Sequence, residues 1–143
     1  MNKMADIYNG IGYLAATFKV DDATKTYLKT NHTNPKTGDV DVNGMNLAVK
    51  LNNDNTVGLG QSVVTKADAL FGIIIAYEMD GFATVQIGGG IDGVPTKAKI
   101  TSGRQSLAAN DKGQLEVVAE GGARDTSVVV GSESDNLFAS IIL

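Results

Sequence analysis

Phe71-Gly72-Ile73-Ile74-Ile75-Ala76-Tyr77-Glu78-Met79-Asp80-Gly81-Phe82-Ala83-Thr84-Val85-Gln86-Ile87 is the stretch whose reading decides the fold. The apolar run from Phe71 to Met79 is rich in β-branched and aromatic residues, which reads as a core strand. Asp80-Gly81 follows it. Asp-Gly between two apolar runs is a strong hairpin signal, because glycine accepts positive φ. Phe82 to Ile87 is then the returning strand. Gly72 marks a bulge or a close approach of two backbones.

The same punctuation recurs on both sides. Asn110-Asp111-Lys112-Gly113 turns the chain into a strand over Gln114–Glu120, which Gly121-Gly122 closes. Val128-Val129-Val130 and Ser140-Ile141-Ile142-Leu143 give two further strands, with one helical turn over Glu133–Leu137 between them. The three final aliphatics predict a strand docked into the sheet, where each buried side chain contributes ~1.5–3 kcal/mol. Upstream, Leu47, Val49 and Leu51 alternate with Asn46, Ala48 and Lys50. Asn52–Asn55 is a turn, and Thr56 to Gly60 starts the second arm of that hairpin.

Nearer the start, Leu14, Ala16, Phe18 and Val20 alternate with Ala15, Thr17 and Lys19, which predicts an N-terminal strand. The aromatics of residues 1–20 can equally form an arm that packs on another subunit. Residues 21–44 are polar, with a turn at Asn34-Pro35-Lys36-Thr37-Gly38, and read as a surface loop or an extended excursion. The reading is mainly β: a small β-barrel or β-sandwich with at most one or two short helices. It divides into an N-terminal arm and polar loop region over 1–45 and a β-barrel core over 46–143.

At 143 residues, 43% of them hydrophobic and 20% charged, one domain can bury a core without staples. There is no cysteine, which removes a disulfide framework, a cysteine-ligated zinc and a cysteine nucleophile together. The formal net charge is −4 and the Lys and Arg residues are spread along the chain. No basic cluster is present to neutralise a run of phosphates, so no nucleic-acid partner is expected. No apolar run approaches the ~20 residues of a membrane helix, and Met1 to Asp6 lacks the apolar stretch of a signal peptide.

Several motifs invite chemistry. Gly88-Gly89-Gly90-Ile91-Asp92-Gly93 has the G-x-G-x-x-G form, but Pro95 pushes Val94 away from the helix that a dinucleotide site needs. Asp39-Val40-Asp41-Val42-Asn43-Gly44 resembles the first half of a calcium loop, yet Lys50 stands where the bidentate Glu belongs. A weak cation site from Asp39, Asp41 and Asn43 stays open. His32 has no second His or Cys beside it and reads as an exposed loop residue. Glu78 and Asp80 read as solvated turn residues, and Arg104 and Arg124 as surface charges. No catalytic residue, cofactor or metal is expected.

From Thr56 to Leu143 the chain resembles small β-rich head decoration (cement) proteins of tailed bacteriophages and prophages. The resemblance is carried by Asp54 to Leu59, Phe71 to Gly89, Val94-Pro95, Ile100 to Gly103, Asn110 to Leu115, Val130 to Ser134 and Ile141 to Leu143. It implies a β-tulip-like barrel with an extended N-terminal arm, placed on the outer surface of a virion after synthesis in the host cytoplasm. It further implies a non-enzymatic role: binding the major capsid protein, often as a trimer, and clamping neighbouring subunits. Ile7, Tyr8, Tyr13 and Phe18 are the expected anchors of the arm at a capsid or subunit interface. The competing expectation is a small adhesive or carbohydrate-binding module of a phage tail or cell surface. The lack of tryptophan weakens that alternative.

Overall fold

The computed structural model describes residues 14–42, 45–78, 80–118, 124–133 and 137–143. The first sheet holds β1 (Leu14–Lys19), β2 (Leu47–Leu51), β3 (Val57–Gly58), β4 (Gly72–Tyr77) and β5 (Phe82–Gly88) in the order β1-β5-β4-β2-β3. Helix α1 (Asp22–Asn31) follows β1, and a 3-10 turn (Lys66–Asp68) precedes β4. The second sheet holds β6 (Gly90–Pro95), β7 (Gly103–Ala109), β8 (Leu115–Val117), β9 (Arg124–Glu133) and β10 (Phe138–Ile142) in the order β6-β10-β9-β7-β8. All pairings within both sheets are antiparallel.

Each sheet curls until its outer strands meet. Val20, just past β1, makes a parallel bridge to Val57 in β3; Thr96, just past β6, does the same with Leu115 in β8. The mainly β, barrel-like architecture predicted from the turns is what forms.

Two cores result, and β2 and β4 divide them. Successive strand residues point to opposite faces. Ile74, Leu47 and Val49 therefore face one core, with Val20, Leu28, Val42, Val57, Ala83 and Val85. Ile73 and Ala48 face the other, with Leu70, Val94, Leu107, Leu115, Val129 and Ile141. The first core draws all its described residues from the chain up to Ile87. The second borrows Ala48 and Ile73 from the first sheet.

The predicted turns sit where the sequence puts them. At Asp80-Gly81, Gly81 has φ +88° and Glu78 N–H donates to Phe82 O at 2.8 Å. Asn110, 2% exposed, organises the turn into β8: its Oδ1 accepts from Lys112 N at 2.9 Å and Gln114 N at 3.0 Å. The triple glycine carries the chain from one sheet to the other. Gln86 Nε2 holds that corner by donating to Gly88 O at 3.1 Å and Gly90 O at 2.9 Å. Gly72 lies against β5, where an added Cβ would stand 2.5 Å from Gln86 O. The C-terminal strand β10 is an interior strand of its sheet, between β6 and β9, and Ile141 is fully buried.

Two expectations are corrected. The stretch 21–44 is not all loop, because α1 occupies Asp22–Asn31. Its sequence signal is thin: only Thr24 and Leu28, one turn apart, are buried. The helix is fixed instead by its start. Asp21 caps it by accepting from Thr24 N at 2.8 Å, and the same carboxylate accepts from Asn52 Nδ2 at 2.9 Å. The second correction is at Glu133, expected to open a helical turn. It is the last residue of β9 and pairs with Phe138, so ladder pairing outweighs local propensity there. Within 1–45, β1 is an outer strand of the first sheet, and Val20, Leu28 and Val42 are core residues.

Candidate functional site

Of the four expected interface anchors, Ile7, Tyr8 and Tyr13 lie outside the described residues. Phe18 is on β1, opposite Ala83 of β5. Its ring meets Phe71 edge to face at 5.1 Å and packs against the first core. It is half-buried.

Two cavities lie elsewhere on the described surface, along α1. One flank of the helix faces a cavity of about 370 Å³ lined by Asp21, Thr24, Tyr27, Leu59, Asp111 and Lys112. A second, of about 320 Å³, is lined by Tyr27, His32, Met45, Leu47, Phe138 and Gln114, with Pro95 and Lys112 completing the wall. Tyr27 and Lys112 line both cavities, so the two adjoin at that pair, and together they are called the groove, with that pair as its waist. One wall is α1 and the start of β2. The other is the turn before β8 and the adjoining ends of β6 and β10.

Local structure sets each lining group. Tyr27 lies on α1 and His32 just past its end, with ring centroids 5.8 Å apart. His32 caps the helix through its own N–H, which donates to Leu28 O at 2.8 Å. It is therefore a half-buried cap residue rather than an exposed loop residue. Burial lowers its pKa from the usual 6.5, because an imidazolium loses hydration there. Burial also raises the Tyr27 phenol above 10, and the Asp111 carboxylate pushes it further the same way. At neutral pH the groove thus presents a neutral imidazole and a protonated phenol. Its charged members are Asp21, Asp111 and Lys112.

The groove is polarised. Asp21 and Asp111 stand at one end. At the other, Met45 and Phe138 are 41% and 43% exposed and line the cavity with Leu47 and Pro95. Large apolar side chains held in water at a cavity mark a surface suited to a partner.

The remaining sequence candidates stay apart. Asp39 and Asp41 are exposed; the backbone of the first accepts from Asn34 N and the backbone N–H of the second donates to His32 O. Asn43 lies outside the described residues. Among the described residues, no group of three or more His, Cys, Asp or Glu could hold a metal ion. Glu78 and Asp80 are exposed at the hairpin. The glycine motif runs into β6, a strand, where a nucleotide site needs a helix N-terminus. Among the described residues, no helix is long and apolar enough to cross a membrane.

Sequence reasoning missed the groove. Its walls come from residues 21–32, 45–47, 59–60, 95, 111–114 and 138, brought together only by the curl of both sheets. The one local hint was the pair of unneeded apolar residues, Met45 and Phe138, beside polar stretches. Compared with known proteins, the chain matches no family model, and no curated protein is significantly similar to it.

Proposed function

We propose that this chain is a head decoration (cement) protein of a tailed bacteriophage or prophage. In this reading it binds the outside of the assembled head and clamps neighbouring major capsid subunits, with copies grouped as trimers. The single observation that carries the reading is the order of strands and turns. Among the described residues, the stretch bearing the resemblance, Thr56 to Leu143, runs from β3 to β10 with one 3-10 turn, and the Asp80-Gly81 and Asn110–Gly113 turns lie at strand junctions. A rigid body of that kind offers surface rather than reactive groups.

The physics of such a role is mass action. A ligand that binds only the assembled shell stabilises it by RT ln(1 + [L]/Kd), about 2.7 kcal/mol per site at a hundredfold excess over Kd. Many sites on one shell multiply the effect. No active site and no cofactor enter.

The test uses heads purified without this chain. Added full-length protein should co-sediment with them to saturation and raise the temperature at which they break open. Deleting residues 2–13 should leave the fold intact and abolish co-sedimentation. No binding to heads by the full chain overturns the proposal, and glycan-array binding in its place favours the adhesive alternative.

A further inference from the structure

We propose that the groove along α1 binds an extended polypeptide segment that carries a large apolar side chain beside a lysine or arginine. Three features of the groove select that occupant. Its apolar end, of about 320 Å³ under the exposed Met45 and Phe138, has room for one aromatic or two aliphatic side chains. Its other end, of about 370 Å³, is bordered by the carboxylates of Asp21 and Asp111, which attract a cation. At the waist, Lys112 and the Tyr27 hydroxyl are hydrogen-bond donors, and the backbone carbonyls of an extended chain are acceptors. Side chains two apart on an extended segment point the same way, about 6.8 Å from one another, so one segment can address both cavities.

Charge fixes the preference for a basic neighbour. Asp21 and Asp111 outnumber Lys112, and His32 is held neutral. An acidic neighbour on the segment would meet like charge at that end. The inference is independent of the decoration reading, since a chain that never touches a phage head can still hold such a segment.

The probe is a panel of capped glycine peptides in which Lys and Phe are one, two or three residues apart. Matching panels replace Lys by Glu, or Phe by Ser. The readout is the NMR spectrum of the full chain, where the only histidine, His32, and the Met45 methyl report on the apolar end. The Lys/Phe panel should shift both signals saturably. The Glu panel should bind about threefold more weakly, the size of one exposed charge pair. The Ser panel should lose more than about tenfold, as expected for an unburied aromatic ring. Phe138→Ser should weaken binding of the Lys/Phe panel, and Asp111→Lys should reverse the Lys-over-Glu preference. Both positions are exposed, and an otherwise unchanged spectrum verifies the fold of each variant. No shift at His32 and Met45 overturns the proposal, as does equal binding of the Lys and Glu panels.

Discussion

The two curled sheets solve the same problem with different means. The first fills its interior from its own stretch of chain, with Leu28 of α1 set among Val20, Val49, Val57, Ile74 and Val85. The second cannot do so. Ala48 and Ile73, on the outward faces of β2 and β4, complete its core beside Leu107, Leu115 and Ile141. Both sheets close at one parallel bridge, Val20 to Val57 and Thr96 to Leu115. The first is therefore a foundation and the second a dependent layer. The lesson is that two sheets with equal strand counts need not be equal partners in stability.

The largest effect should come from β10, an interior strand of the second sheet. Deleting Ser140–Leu143 removes Ile141 from the core and half the ladder between β6 and β9. With ~1.5–3 kcal/mol per buried aliphatic, the melting temperature should fall by about 10 °C or more. A truncated protein that melts unchanged breaks the comparison at once.

Ile73 and Ile74 sharpen it, since both are fully buried, adjacent in β4, and committed to different cores. Ile73→Ala and Ile74→Ala should each destabilise by ~2–5 kcal/mol. Hydrogen exchange separates them. Ile74→Ala should loosen amides in both sheets, whereas Ile73→Ala should loosen chiefly the second.

The helix that plugs the first sheet depends on one carboxylate. Asp21→Ala loses the cap on Thr24 N and the bond from Asn52, and should destabilise by ~1–2 kcal/mol in a urea melt. Gly58→Ala should injure the same junction, because its Cβ would fall 1.9 Å from Asp21 Oδ2.

The smallest effect is titration. The folded pKa of His32 lies below 6.5, so under that value the unfolded chain binds more protons than the folded one. Stability should therefore fall as pH drops through 6.5 toward the folded pKa, and then level off. His32→Asn should remove that slope. Tyr27 has the opposite edge: its raised pKa makes stability fall as pH climbs past 10.

Much of this was legible in the residues. Asp80-Gly81, Asn110–Gly113 and the final aliphatics are local signals, and each lies at a turn or strand in the fold. What was not legible depends on distant partners. Helix α1 has two buried residues and reads as polar chain until Asp21 meets Asn52. Alternation pointed to β1 and the final aliphatics to β10, but neither showed that one strand would be outermost and the other interior. Nor does spacing reveal which residue of an alternating pair, such as Leu47 and Ala48, faces which of two cores. The groove is the extreme case, assembled from six separated segments.

Native-state hydrogen exchange of the full chain in rising denaturant tests the dependence of one layer on the other most directly. Amides of β4 and β5 should exchange only through the highest-energy opening, with those of β7 and β10 opening at equal or lower free energy. Amides in β7 and β10 that stay protected after β4 and β5 have exchanged would contradict the account.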